Sequence, residues 1–343
     1  MGSMFREFCR RLSARSRRRA SCAALVFATS ACGDGTLDAG TDVPHGLLPV
    51  DERNTIVIVN DGYQDNWQGE YALLFANSGV RLAGIIVKDS TLWPQLSDNL
   101  AGWQSMVAAA KASGMANAPD PIGSTGAPLV RPADGTIEST QPNDSDGAHL
   151  IIQASQEYSL PYRPLVVAFG TRLTDVADAY LLDPTVPSRV VVVASLGSGA
   201  SDGGTMGFPN GDLDTWADWI VAQKFRYVQA SAYYDDSADL PSSRIGELPN
   251  NAFGTWMSSK QSYIMSQVML WGPTGDDQVS VLASALPAFV LATEREGASG
   301  PSSTAPALGP GGTGAVWLVT SSDGAVASSR LWQMLLNPST FGP

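Results

Sequence analysis

Four consecutive valines, residues 190–193, constrain the fold of this chain more than any other feature of the sequence. A β-branched run of this kind is typical of a strand buried on both faces, as in a parallel sheet covered by helices. Similar strand-like segments alternate with helix-like segments along the chain. Strands are predicted at 55–59, 81–87, 164–169, 188–195 and 225–230, and helices at 70–77, 99–113, 148–158, 173–182 and 215–223. The sequence therefore predicts an α/β fold with a mostly parallel central sheet and helices on both faces.

The first 32 residues differ in composition from the rest of the chain. They carry seven arginines and one glutamate, and they end in a small, apolar, uncharged stretch, residues 20–31. These are the features of a secretory signal. The apolar stretch is too short for a membrane-spanning helix, which needs about 20 residues. Thr29-Ser30-Ala31-Cys32 resembles the bacterial lipoprotein box, although Thr29 replaces the usual leucine, so plain cleavage before Cys32 remains the alternative to lipidation. We expect an exported protein, periplasmic or held to the cell envelope through Cys32.

Residues 33–53 are rich in Gly, Asp, Thr and Pro and are predicted to be a flexible tether, followed by a single domain over residues 54–343. The net charge of −12 becomes −18 for residues 33–343 once the seven arginines and one glutamate of the leader are removed. So acidic a domain argues against nucleic acid and anionic membrane surfaces as partners, which leaves the N-terminal lipid as the expected membrane contact. All three cysteines lie at or before Cys32, which excludes a disulfide scaffold or a thiolate site in the domain.

The loop after the first predicted strand is the place where chemistry is expected. It contains Asn60, Asp61, Asp65 and Asn66 within a few residues of a buried strand. In open parallel sheets ligands bind outside the carboxyl ends of the strands, and clustered oxygen donors suit a hard cation such as calcium. Composition alone favours the alternative of a polar turn in which Asp65 or Asn66 caps the following helix.

Several segments, taken in order, resemble the inosine-uridine-preferring nucleoside hydrolase superfamily. The loop at 60–66 is similar to the Asp-rich motif that follows the first strand of that family. Further similarity lies at 82–87 (second strand), 99–101 (start of the next helix), 120–130, 169–177 with Asp183-Pro184, 210–217 and 275–277. The similarity covers roughly residues 54–290, and it rests on the order and spacing of these segments.

The resemblance implies a calcium-dependent hydrolase that cleaves the N-glycosidic bond of a nucleoside or a related glycoside. Asp61 would act as general base and as a metal ligand. The other implied calcium ligands are Asn66, the backbone carbonyl of Phe169, and Asp277; the implied substrate-binding residues are Asp65, Asn210 and Asp214. Asp214 has the simpler alternative of capping the helix that begins at Thr215. The resemblance also implies a possible homo-oligomer.

Three departures from the family pattern keep a second function open. Val59 stands in the place of the first Asp of the motif, and Asn66 stands in the place of a calcium-ligating acid. The histidine often found beside the late Asp is replaced by Asp276. These changes motivate the alternative of a catalytically lapsed lipoprotein that binds a sugar or nucleoside on the same fold. A solute-binding α/β protein without metal is the third hypothesis.

Overall fold

The computed structural model describes residues 54–62, 81–91, 93–115, 118–161, 163–194, 213–229, 246–256, 290–294, 315–322 and 336. All of them belong to one compact unit, His45–Pro343. The leader with Cys32, the tether and the helix predicted at 70–77 lie outside the described residues.

Eight strands and four longer helices form the described part of the domain. The strands are β1 (Ile56–Asn60), β2 (Leu82–Val87), β3 (Ile122–Gly123), β4 (Leu165–Phe169), β5 (Val190–Ala194), β6 (Arg226–Gln229), β7 (Val290–Glu294) and β8 (Ala315–Ser322). The helices are α1 (Leu96–Ala112), α2 (Asp146–Tyr158), α3 (Thr174–Leu182) and α4 (Thr215–Lys224), with short 3₁₀ turns at Ile137–Ser139 and Val186–Ser188. Each strand and helix predicted within the described residues is present, with boundaries shifted by one to three residues.

The strands form one sheet in the order β3-β2-β1-β4-β5-β6-β8-β7. Every neighbouring pair from β3 to β8 is parallel, and β7 alone in this described sheet is antiparallel, paired with β8. The prediction of an α/β fold with a mostly parallel sheet is confirmed. β1 and β4 are adjacent although β2 and β3 intervene in the chain, so the direction of strand addition reverses there. A reversal of this kind opens a crevice at the carboxyl ends of the two strands.

Alternate residues of the central strands face different layers of helices. Val57, Val59 and Val167 pack in a buried cluster with residues of α2, α3 and α4. Their neighbours Ile56, Ile58 and Val166 are equally buried on the other face. This two-sided burial explains why the strands read as continuous apolar runs rather than as an alternating pattern.

The segment 123–147, which its polar composition predicts to be a long surface excursion, is partly internal. Its first residue ends β3, which pairs with β2. Leu129 and Ile137 are only 6% and 8% exposed and belong to the main buried cluster. The predicted surface position is confirmed for most of the segment, and the buried residues were missed because single apolar anchors in a Pro/Gly-rich segment carry no periodic signal.

No helix among the described residues combines the length and the apolar character that crossing a membrane requires.

Candidate active site

Asp61 lies directly after β1, at the carboxyl edge of the sheet, and is only 4% exposed. Its Oδ1 accepts a hydrogen bond from the Gly62 amide at 2.6 Å, and its Oδ2 accepts one from the Thr171 hydroxyl at 3.3 Å. The Asn60 side chain accepts the Asp61 amide hydrogen at 2.8 Å. The carboxylate is therefore held between the end of β1 and the loop after β4.

Two tryptophans pack around the backbone of this loop. Trp103 of α1 donates its indole N–H to the Asp61 carbonyl at 3.2 Å. The Trp93 ring lies so close to Gly62 that a Cβ there would come within 2.4 Å of it. Glycine is therefore required at position 62, because any side chain would displace the ring.

Burial raises the pKa of Asp61 above its ordinary value, and hydrogen bonds from Ser90, the Gly62 amide and Thr171 lower it in part. Among the described residues Asp61 makes no ion pair. A buried carboxylate without a cationic neighbour is costly to ionise, and a bound cation would offset that cost. The environment of Asp61 therefore suits contact with a cation or with a proton donor.

Phe169 ends β4, directly beside β1. Its Cα is in register with that of Val59, and the next amide, that of Gly170, donates to the Val59 carbonyl at 2.9 Å. The carbonyl of Phe169 and the carboxylate of Asp61 thus belong to neighbouring strand ends. Both are hard oxygen donors of the type that calcium takes.

Those two donors fit a calcium ion in type and, for Asp61, in charge. The described residues contain no group of three or more His, Cys, Asp or Glu side chains arranged to hold a metal. A calcium site at Asp61 would therefore need further ligands, and the predicted ones, Asn66 and Asp277, lie outside the described residues.

Asp214 caps α4 and is 3% exposed. Its Oδ1 accepts the Ala217 amide hydrogen at 3.0 Å, and its Oδ2 accepts from the Leu129 amide at 2.9 Å and the Thr174 hydroxyl at 2.7 Å. The capping role considered from the sequence is therefore present. The carboxylate also ties the 123–147 segment to the starts of α3 and α4.

We expect Asp214→Ala to lower the free energy of unfolding by about 2–3 kcal/mol, because it removes a helix cap and leaves buried donors without their acceptor. Urea denaturation of the two proteins measures this difference. A loss of stability below about 0.5 kcal/mol would contradict the assigned network.

The pH dependence of the same residue supplies an independent check. Burial raises the pKa of Asp214, partly offset by hydrogen bonds and by the charge of Arg172. Because the folded pKa is raised, the stability that this group contributes is present at low pH and is lost as the pH rises through that pKa. As the pH rises from 4 to 7, we expect the free energy of unfolding of the wild type to fall relative to that of Asp214→Asn.

A buried ion pair lies beside the site. Lys88, which follows β2, places its Nζ 2.8 Å from Oδ1 of Asp175 in α3, and both side chains are fully buried. Oδ1 of Asp175 also accepts from the hydroxyls of Ser124 and Ser145, at 3.0 Å and 3.1 Å. Asn99 of α1 donates to the Lys88 carbonyl at 2.9 Å. This network joins the ends of β2 and β3 to the starts of α2 and α3.

Arg172 lies one residue after Thr171 and is 7% exposed. Its Nη2 donates to Oδ1 of Asp89 at 2.6 Å and to the Gly126 carbonyl at 2.7 Å. Its Nε is buried without a hydrogen-bond partner among the described residues. A guanidinium is thereby fixed at the carboxyl edge of the sheet, among the loops that follow β2, β3 and β4.

Of the residues predicted for the site, the structure describes Asp61, Phe169 and Asp214. The other predicted residues lie outside the described residues: Asp65, Asn66, Asn210, Asp277 and the lipidation residue Cys32. Sequence reasoning missed Lys88, Thr171 and Arg172 as members of the site. Their signal was positional, since each follows a predicted strand, but charged and hydroxyl residues in such loops are too common to be selected on that ground.

No protein-family model matches the sequence, and a search of curated proteins returned no match. Solved structures do match. The inosine-uridine preferring nucleoside hydrolase from Bacillus anthracis aligns over 84% of this chain and 99% of its own, with a TM-score of 0.55 and 12% identity. An inosine-guanosine nucleoside hydrolase aligns over 84% and 100%, with a TM-score of 0.56 and 13% identity. This chain has the nucleoside hydrolase fold.

A third solved structure gives the same result. The purine-preferring ribonucleoside hydrolase from Gardnerella vaginalis aligns over 83% of this chain and 98% of its own, with a TM-score of 0.54 and 14% identity. The resemblance noted in the sequence is thus confirmed for the fold. At identities this low, the nucleoside hydrolase fold does not by itself define a reaction, which has to be argued from the site.

Proposed function

We propose that this protein is a calcium-dependent hydrolase of N-ribosyl or related glycosyl bonds. The observation that carries the proposal is the buried carboxylate of Asp61 at the carboxyl end of β1, beside the end of β4, in a nucleoside hydrolase fold. Ligands of open parallel sheets bind at this edge, and a buried carboxylate with a raised pKa is suited to accept a proton.

In the proposed reaction Asp61 takes a proton from a water molecule as the water oxygen bonds to C1′ of the sugar. The bond between C1′ and the leaving group breaks, and its electron pair leaves with that group. The transition state resembles an oxocarbenium ion, as in other glycoside hydrolyses. The hydroxyl of Thr171 and the amide of Gly62 hold the Asp61 carboxylate in place.

Calcium would be held by Asp61, the Phe169 carbonyl, Asn66 and Asp277. When bound, it would supply positive charge against the sugar hydroxyls and the attacking water. Asp65, Asn210 and Asp214 are proposed to contact the sugar. Asp214 also accepts hydrogen bonds from the Leu129 amide, the Thr174 hydroxyl and the Ala217 amide, which hold its carboxylate in place.

The alternative of a binding protein that has lost catalysis is favoured by Val59. This residue stands where the family motif has its first Asp, and its side chain is fully buried in the helix-facing core. It therefore contributes no ligand or proton acceptor. Such a protein would bind a nucleoside or sugar without turnover.

The location of the protein is part of the proposal. The basic and apolar leader and the sequence Thr29-Ser30-Ala31-Cys32 support export, with Cys32 as the lipid-bearing residue of a periplasmic or cell-envelope lipoprotein. Several acyl chains would be needed for stable attachment, since one chain binds only weakly.

We expect the protein to release free base or phenol from a panel of nucleosides and aryl ribosides in the presence of calcium. A chelator is expected to reduce the rate at least tenfold, and added calcium is expected to restore it, because the metal supplies charge to the reacting sugar. Release is followed by absorbance, with circular dichroism showing that the protein stays folded in the chelator.

The outcomes separate the three functions. Calcium binding by calorimetry without any release would support the binding alternative and contradict the hydrolase. Release that a chelator does not affect would contradict the proposed role of calcium. Absence of both calcium binding and nucleoside binding would favour the solute-binding protein without metal.

A further inference from the structure

Arg172 is a cation held among the loops that follow β2, β3 and β4, at the sheet edge that carries Asp61. Lys88 is fully paired with Asp175 inside the domain, so its charge is neutralised there. Arg172 lies three residues after β4, where its charge partly offsets the burial that raises the pKa of Asp214. The Arg172 side chain is only 9% exposed, so its guanidinium requires acceptors that compensate its desolvation.

The acceptors that Arg172 already has are incomplete. Asp89 contacts the guanidinium through one oxygen and one nitrogen only, whereas an arginine and an oxyanion can form two parallel hydrogen bonds. Nε is left without a partner among the described residues. A buried N–H without an acceptor is unfavourable, so the arrangement of Arg172 and Asp89 leaves one strong donor for a ligand.

Asp89 is the part of this arrangement that a ligand can replace. Its side chain is 39% exposed, while that of Arg172 is only 9% exposed. Because Asp89 is partly exposed, its carboxylate can be rehydrated when a ligand anion takes its place, and that anion then supplies the negative charge that the mostly buried guanidinium requires. The Gly126 carbonyl would keep the guanidinium in place after Asp89 moved away.

We propose that Arg172 binds an oxyanion group, a phosphate or a carboxylate, on the riboside that this site accepts. The inference rests on the proposed function for its sugar chemistry, and it names the substrate class of the same site as an anionic riboside. The oxyanion displaces Asp89 and accepts hydrogen bonds from Nη2 and Nε together. Arg172 therefore determines specificity, while Asp61 serves the chemical step.

The test compares binding of ribose, ribose 5-phosphate and ribonate to the full chain by calorimetry with calcium present. We expect at least one anionic ligand to bind about tenfold or more tightly than ribose. Arg172→Gln is expected to weaken that binding about 10–100-fold, and Arg172→Lys to recover little of it, because lysine lacks the planar fork. Arg163→Gln removes the same charge near the other end of β4 and is expected to leave the affinity within twofold.

Asp89→Asn tests whether misfolding could explain a loss of anion binding in the Arg172 variants. It removes the competing carboxylate, so we expect tighter binding of the anionic ligand by a few-fold, a direction that destabilisation would not produce. Equal affinity for ribose and both anions, or no tightening in Asp89→Asn, would overturn the inference. Hydrolysis of neutral nucleosides with no anion preference would overturn it while the proposed function stands. Anion binding dependent on Arg172 without any turnover would support it and contradict the hydrolase.

Discussion

We expect Asp61→Asn to lower kcat about 1,000-fold, which is the size of effect that follows removal of a positioned general base. The amide cannot accept the proton of the attacking water, but its oxygen can accept from the Gly62 amide and its NH₂ group can donate to the Thr171 hydroxyl oxygen. The fold should therefore survive. Since burial raises the pKa of Asp61, the ionised form is disfavoured in the folded protein, and in chelator at neutral pH the neutral variant should be at least as stable as the wild type.

The matched control for this variant is Asp98→Asn. Asp98 is an exposed acid in the first turn of α1, so the same chemical change is made away from the crevice. We expect its kcat to remain within twofold of the wild type. Steady-state kinetics and thermal unfolding of both variants provide the comparison. An active Asp61→Asn protein would remove Asp61 from the proposed mechanism.

Lys88→Met is expected to lower the free energy of unfolding by about 3–5 kcal/mol, the usual cost of removing one partner from a buried ion pair. Asp175 would be left as a fully buried carboxylate with only Ser124 and Ser145 to donate to its Oδ1. Methionine has a similar length, so the loss reflects charge rather than a cavity. Urea denaturation at fixed pH measures the change.

Two further variants show whether burial of the pair is the cause. Lys111 and Asp120 form a pair with a shorter distance of 2.6 Å, but their side chains are 36% and 84% exposed. We expect Lys111→Met to cost less than about 1 kcal/mol. The double variant Lys88→Met with Asp175→Asn should recover at least half of the loss, because no uncompensated charge remains. Equal losses in the free energy of unfolding for Lys88→Met and Lys111→Met would show that burial does not strengthen the pair of Lys88 and Asp175.

Much of the fold and one part of the site could be predicted from the sequence. Strands such as β5, with its four valines, are recognisable because a parallel strand is buried on both faces and therefore reads as a continuous apolar run. The place of Asp61 followed directly, since the residue after a predicted parallel strand lies at the sheet edge where ligands bind. The antiparallel strand β7 was not predicted, because a short strand at a sheet edge has no comparable pattern.

By itself, therefore, the sequence determined the succession of β1, β2, β4, β5 and β6 with helices along the chain, the mostly parallel sheet and the position of Asp61 at its edge. Only the tertiary structure decided which side chains surround that carboxylate. The hydroxyl of Thr171 lies 110 residues away in the chain, and Lys88 and Asp175 are 87 residues apart. Such contacts arise because parallel strands bring their carboxyl ends to one edge. Pairing across that edge depends on strand order, which leaves no periodic signal in the local sequence.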